Sequence, residues 1–481
     1  MSEASAIAPA PAPAAAPSGE RRTTPPGLQE LLDALADAGH EAWLSGQVAR
    51  ALFLGADGAD ARRADILTTA PEAAIAGLVR GFAGEGGTRP VPGGVRMAIP
   101  SGEWAIQITT LRTSLPPYRW FKERRLTGIE RDLATREITL HAVAIARDGS
   151  PVDPFGGVAD LRAGQIKTIV PHGQVFRESG RWLLKVARHV AWYGFPASAA
   201  LVQSARRDAG GIMDVPSSEW RQALERILMS DHVMDGLNFL REGRILGYML
   251  PEIAAMIGFH ESCRVHHKDL WAHTIQVIHQ AEKNAYVRWA ALMHDIGKVP
   301  TRTVNRQGKV HFFRHEELGA HMFLGIAHRL QMSEEDAERI HYIIRNHSRV
   351  NLYESSWTDS AVRRLIRDCS ERLGELMAFS RADFTTKRAD RAAELRRQLV
   401  ELAERIERIQ AEDARICPLP SGLGQAIMEH FQIGPGRHIG DLRAWLEAEV
   451  EAERVAAGGD SEVYLQHIDA HRDRAPLPDA P

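Results

Sequence analysis

The feature that most constrains this chain is a change of hydrophobic period near residue 174. Before it, residues 41–44, 104–108 and 138–145 are short apolar stretches that read as strands, the last closed by an Asp148-Gly149 turn. Helical patterns over residues 27–39 and 71–80 lie between them. Beyond residue 174 apolar side chains recur at the 3.6-residue period. Gly194, Pro196, Gly210-Gly211, Pro251 and Gly297 punctuate them, and almost no convincing strand follows. The expected class is therefore α+β: a small mixed α/β head followed by an all-α body.

Length and composition set the outer bounds. At roughly 150 residues per domain, 481 residues suggest about three units. With 44% hydrophobic and 25% charged residues and a net charge of −3, the chain is not wholly disordered and has no global basic field. Nucleic-acid contact would have to come from local patches. The three cysteines, Cys263, Cys369 and Cys417, form no CxxC pair. This argues against a disulfide framework or a thiolate zinc site and fits a reducing cytoplasm. No apolar run approaches 18 residues, so no membrane span is expected. Residues 1–26 read as a disordered Ala/Pro-rich tail and residues 458–481 as a flexible one.

The second half carries side chains suited to metal binding: His273, the adjacent His294-Asp295, His315, His347 and Asp383. His294-Asp295 follows the apolar run Trp289-Ala290-Ala291-Leu292-Met293, where a buried helix end would otherwise take apolar residues. Burying two polar groups there carries a desolvation cost that a bound cation offsets. Nitrogen and carboxylate ligands suit one or two divalent ions, Mn, Fe, Ni, Co or Mg, which turn water into a nucleophile near neutral pH. His273, His294, Asp295 and Asp383 form the expected first set, with Asp295 able to bridge to a second ion. His315 and His347 are candidates for that second ion or for proton donation, with His311 and His341 as competitors. Lys298 is placed to steady a phosphate, against the plainer reading of a surface lysine after a helix-ending glycine.

Arg177, Arg181, Lys185 and Arg188 recur at spacings that put them along one side of a helix, with Trp182, Trp192 and Tyr193 nearby. Such a stripe could follow phosphates while the aromatics stack on bases; a solvated cationic face is the alternative. Residues 392–413 form a strong helical pattern with Leu395, Leu399, Leu402, Ile406 and Ile409 on one face. Core packing is the first reading and a dimer or partner contact the second.

Several motifs, in this order, resemble the bacterial tRNA nucleotidyltransferase and poly(A) polymerase family. They are Leu44-Ser45-Gly46-Gln47-Val48-Ala49-Arg50, Ala64-Asp65-Ile66-Leu67-Thr68-Thr69-Ala70-Pro71, Asp153-Pro154-Phe155-Gly156-Gly157 with Asp160-Leu161, and Phe176-Arg177-Glu178. In the body, Trp271-Ala272-His273-Thr274, His294-Asp295-Ile296-Gly297-Lys298 and His315-Glu316-Glu317 are similar to the HD domain that some members append. Ile433-Gly434-Pro435-Gly436-Arg437 is also similar to the family. The resemblance covers roughly residues 27–460. It implies a polymerase-beta-like head with metal-dependent nucleotidyl transfer, an HD-type metal site, and RNA, including tRNA, or a nucleotide as partner.

The head departs from that pattern. The family's Asp-x-Asp stands here as Arg63 and Asp65, and the acidic position on the later strand as Gln107. Gln47 and Ala51 replace a glycine and an acidic residue. Glu178-Ser179-Gly180-Arg181-Trp182 stands for Glu-Asp-x-x-Arg, Thr135-Arg136-Glu137 for Arg-Arg-Asp, and His141 for an asparagine. The expectation is a metal-dependent phosphohydrolase, acting on a phosphomonoester or phosphodiester of a nucleotide or RNA end, whose head no longer transfers nucleotides. Asp295, Lys298, His315 and His347 would be catalytic. An active tRNA nucleotidyltransferase and a non-catalytic RNA-binding protein are the alternatives. The expected division is head 27–165, helical neck 166–255, HD-type domain 256–390 and helical C-terminal region 391–457.

Overall fold

The computed structural model describes residues 24–55, 63–82, 87–98, 105–115, 119–122, 125–126, 128–260, 269–384, 389–414 and 419–477. Most of the expected N-terminal tail, Trp104, Cys263 and Cys417 lie outside the described residues. The chain divides into two compact units, one of Met1–Leu352 with Glu371–Ala393, the other of Tyr353–Ser370 with Glu394–Pro481.

The first unit begins with the expected mixed head. Its strands are β1 (Ala42–Ser45), β2 (Arg63–Thr68), β3 (Thr88–Val91), β4 (Gly94–Ala98), β5 (Ala105–Thr110), β6 (Ala144–Ala146) and β7 (Pro151–Val152). They form one sheet in the order β3-β4-β5-β2-β1-β6-β7. β2 and β5 run parallel; the other neighbouring pairs are antiparallel. Ala64, Ile66, Ile106 and Ile108 are buried on one face, so Arg63, Asp65 and Gln107, alternating with them, fall on the other. The helix Pro26–Asp37 buries Leu28, Leu31, Leu32 and Leu35, a spacing that marks one helical face.

Residues 138–145 do not form the single strand expected of them. Thr139–His141 is a 3₁₀ turn and only Ala144–Ala146 pairs as strand. The Thr139 hydroxyl donates to Asp160 at 2.8 Å and its backbone N–H to the Lys167 carbonyl at 3.0 Å. Tertiary hydrogen bonds thus take over the groups a strand ladder would use.

The body is helical as expected, with one small exception: β8 (Arg302–Val304) and β9 (Val310–Phe312) make a hairpin. In the neck the helices Arg181–Tyr193 and Val233–Glu242 approach closely enough that a Cβ on Gly236 would lie 2.6 Å from that of Ala191. Buried Arg288 donates to the carbonyls of Leu228, Ser230, Ala281 and Glu282 and ties the neck to the helices that follow.

The second unit has its own core of Leu419, Leu423, Ile427, Leu442, Leu446, Tyr464 and Ile468. Residues expected to form a flexible tail instead carry the helix Ser461–Ala470. Burial of Tyr464 and Ile468, and a 2.9 Å hydrogen bond from the Tyr464 hydroxyl to the Ala456 carbonyl, hold it in place. No helix among the described residues is long and apolar enough to cross a membrane.

Candidate functional site

Five helical segments bring the HD-type side chains together. His273 sits on Leu270–Gln280, whose first N–H groups are capped by the Asp269 carboxylate. His294 and Asp295 follow Ala285–Met293, capped in turn by Asn284. His315 opens His315–Arg329, His347 follows Glu334–Asn346, and Asp383 follows Leu373–Ala382. Gly297 lets two of these meet: a Cβ there would lie 2.1 Å from the His315 carbonyl oxygen, so only glycine admits this approach.

The six expected ligands form two groups. In each, one donor atom per residue lies within 4.8 Å of the others: His273, His294 and Asp383 in one, Asp295, His315 and His347 in the other. Asp295 faces both. Its Oδ2 is 3.4 Å from His273 Nε2 and 3.1 Å from His294 Nε2, while Oδ1 is 3.8 Å from His315 Nε2. Asp383 Oδ1 closes the first group at 3.3 Å from His273 Nε2. His311 and His341, the expected competitors, belong to neither group; His311 stacks on Phe313 instead.

These residues fit divalent ions. Nδ1 of His294, His315 and His347 lies 2.9, 3.0 and 2.7 Å from the carbonyls of Ala291, Phe312 and Ile344. A carbonyl can only accept, so a proton sits on each Nδ1, and in the neutral ring the lone pair of Nε2 faces the centre. Asp295 is fully buried, and its Oδ1 has no hydrogen-bond partner. Such an atom is costly without a cation.

Burial alone would raise the Asp295 carboxyl, but His294, Lys298 and His273 together hold it well below the usual carboxylate range. His294 is raised because the carboxylates of Asp295 and Asp383 outweigh its burial. His347 is pushed down to about 4, first by burial and then by the neighbouring His294, and is neutral near pH 7. Lys298 Nζ contacts Asp295 Oδ2 at 2.9 Å, so the expected phosphate-steadying lysine is engaged with the ligand set itself.

The second place of interest is a cleft of about 860 Å³ between head and neck, lined by residues that include Gly46, Arg50, Asp65, His141, Trp192 and Tyr193. Asp65 and Gln107 are directly paired across β2 and β5. Asp65 Oδ1 faces Arg63 Nε at 3.8 Å, and Gln107 accepts from Arg96 at 3.0 Å. Glu137 pairs with Lys185 at 3.3 Å, Arg188 at 3.2 Å and His189 at 2.6 Å. Those partners overcome its burial and hold its carboxyl at about 2. A cation pair needs several carboxylates, and among the described residues the cleft is lined by one, Asp65, beside a guanidinium. Even at an effective dielectric of about 40, a divalent ion roughly 5 Å from that guanidinium is opposed by about 3 kcal/mol. The described head residues do not fit a two-ion site.

The expected cationic stripe is broken up. Arg177 lies on a separate short helix, Val175–Glu178, and pairs with Asp208; Arg181 pairs with Glu219, and Lys185 and Arg188 with Glu137. Trp182 is only 3% exposed, with Lys185 over its ring, so it cannot stack on a base; Trp192 is 71% exposed. Arg50, which the sequence marks only as part of a head motif, lines the cleft with Arg226, which it does not mark at all, and His141 Nε2 and the Tyr193 hydroxyl are paired 2.7 Å apart. The one available signal was Arg50, one helical turn beyond Gly46.

Comparison with known proteins places these features. The family model described as HD domain matches residues 269–409. The A-adding tRNA nucleotidyltransferase of Deinococcus radiodurans is 28% identical over 70% of this chain and 79% of its own. The multifunctional CCA protein of Burkholderia mallei is 32% identical over 56% of this chain and 70% of its own. The chain belongs to the tRNA nucleotidyltransferase family. Against other multifunctional CCA proteins, such as that of Nitrosococcus oceani, the match spans 57% of the relative's length. The Bacillus stearothermophilus CCA-adding enzyme, solved in complex with CTP, superposes with a TM-score of 0.53 at 18% identity, covering 94% of this chain and 99% of that one. That likeness establishes the fold.

These relatives overturn one expectation. A phosphohydrolase whose head no longer transfers nucleotides does not agree with relatives named for nucleotide addition. The substitutions in the head, Arg63 and Gln107 among them, stand within a match to that family that covers 70% of this chain.

Proposed function

We propose that this member of the tRNA nucleotidyltransferase family works in tRNA 3′-end processing, adding nucleotides from nucleoside triphosphates to the end of the RNA. One observation carries the reading: 32% identity to a multifunctional CCA protein over 70% of that relative's length. In the reaction, the terminal 3′ oxygen bonds to the α-phosphorus of the nucleotide, its proton is lost to solvent or a base, and pyrophosphate leaves. The cleft between head and neck supports this reading through its residue types. Arg50, Arg63 and Arg226 line it and can balance charge on the leaving phosphates, while Trp192 offers a stacking surface. No step is assigned to a cation held by the head. The test is incorporation of labelled CTP or ATP into tRNA lacking its 3′ end. Absence of incorporation by folded protein that still binds the tRNA would reject the reading.

A second centre is favoured by the buried histidines and carboxylates. We propose that His273, His294, Asp295 and Asp383 hold one divalent ion and that His315 and His347, with Asp295, hold another. When bound, such ions supply an activated water for phosphoester hydrolysis. Asp295 orients both groups, and Lys298 lies beside its carboxylate. Metal content measured on the parent and on the His294→Ala, Asp295→Ala double variant tests this. Equal metal in both would reject it, and unchanged nucleotide incorporation in the double variant would separate the two centres.

A further inference from the structure

The head cleft has the fold of a nucleotidyl-transfer site and the charge of something else. We infer that it recognises the phosphates of a nucleoside phosphate with guanidinium groups and needs no divalent cation to do so. The inference takes the nucleotide class from the proposed function and departs from the cation chemistry such a head ordinarily uses.

Three observations converge. Among the described residues Asp65 is the only carboxylate lining the cleft, and both of its oxygens have close neighbours. Oδ1 faces the Arg63 guanidinium at 3.8 Å, while Oδ2 packs so tightly on Gly46 that a Cβ there would approach to 2.2 Å. The lateral position that could have completed a cation site is Gln107, whose amide oxygen is occupied by Arg96. Cation binding would therefore have to displace existing contacts and sit beside a fixed positive charge.

The same cleft carries an excess of guanidinium. Arg63, Arg50 and Arg226 all line it. Arg63 is 58% exposed, and Arg50 lies 5.9 Å from the Tyr193 ring centroid with no carboxylate partner among the described residues. In a protein whose net charge is −3, such a concentration is local and directed at an anion. Beside it stand flat surfaces. Trp192 is largely exposed, and the Tyr193 and Phe195 rings stack at 5.8 Å with 26° between their planes. Guanidinium for phosphate and aromatic faces for a base together select a nucleoside phosphate over a bare anion. A free nucleotide and the terminal nucleotide of an RNA share this chemistry.

Calorimetric titration of the full chain, in the His294→Ala, Asp295→Ala background so that the HD-type centre does not contribute, decides the matter. ATP, inorganic triphosphate and a tRNA ending in a 3′-phosphate are each titrated in excess EDTA and in Mg²⁺. Expected are ATP or RNA-end affinities that differ less than threefold between the two conditions, and at least tenfold weakening by the Arg63→Ala, Arg226→Ala double variant in EDTA. Trp192→Ala should weaken ATP by threefold or more and leave triphosphate unchanged. Whichever of ATP or RNA end binds in EDTA identifies the source. Binding only with Mg²⁺, no binding at all, or indifference to the arginine substitutions overturns the inference. Incorporation assays are read separately: failed transfer with cation-free binding intact discards the proposed reaction alone, and active transfer with Mg²⁺-dependent binding discards this inference alone.

Discussion

Asp295 presents one carboxylate oxygen to each half of the HD-type centre: Oδ2 lies 3.1 Å from His294 Nε2, and the opposite oxygen, Oδ1, has no hydrogen-bond partner. Asp295→Asn keeps the shape and removes the charge both groups depend on. Ion retention should fall at least tenfold, measured by elemental analysis after dialysis against a weak chelator. A variant that keeps its full complement of metal would refute the bridging role.

Glu137→Gln tests the cluster of Lys185, Arg188 and His189. The folded carboxyl sits at about 2, below its ordinary value of 4.5. Its stabilisation is therefore fully present above about pH 4.5 and is lost as pH falls towards 2. The variant should be less stable at pH 7 by about 1–3 kcal/mol, with the gap to the parent closing across that window. Urea denaturation at several pH values reads both.

His141 and His189 have the same sense of pH dependence for a different reason. Burial holds both below the ordinary histidine value; for His141 the nearby His189 and Arg50 add to it. A depressed histidine leaves the unfolded chain binding more protons, so stability is lost as pH falls below about 6.5. His141→Phe should flatten part of that acid limb in thermal melts recorded from pH 7.5 to 5. A slope identical to the parent's would count against a neutral, buried imidazole.

Gly46→Ala should destabilise the head. The residue has φ +76°, and a Cβ would lie 2.2 Å from Asp65 Oδ2. The left-handed backbone alone costs about 1–2 kcal/mol, and displacement of the carboxylate adds to it. A melting temperature within a degree of the parent's would contradict the close contact.

Arg288→Met removes a buried guanidinium that serves four carbonyls. Three of the four acceptor bonds are buried, so a loss of about 3–5 kcal/mol is expected. Arg288→Lys should recover only part of it, because an ammonium cannot reproduce the planar fork. Equal stability of the lysine variant and the parent would show that charge alone suffices.

How far residue order could be read depended on the range of the interactions involved. The helix Pro26–Asp37 and the candidate ligands His273, His294 and Asp295 could be found because period and local contrast mark them: leucines on one face, or two polar groups after an apolar run. Thr139–His141 could not, since the bonds that turn it away from a strand come from Asp160 and Lys167, 21 and 28 residues distant. Trp182 and Trp192 are the same residue type on the same helix, yet one is buried and the other exposed. The basic stripe failed for a related reason: spacing places cations on a helix but is silent about Asp208, Glu219 and Glu137, which come from other elements to meet them.

The amino-acid order by itself determined the change from mixed head to helical body and the identity of the six candidate ligands, because both depend on local periodicity and on side-chain chemistry. Only the tertiary structure decided that those six divide around Asp295, that Asp65 lies between Gly46 and Arg63, and that residues 461–470 fold as a helix anchored by buried Tyr464. Each of these is a contact between segments far apart in the chain, and its energy depends on burial and distance that no single stretch of residues specifies.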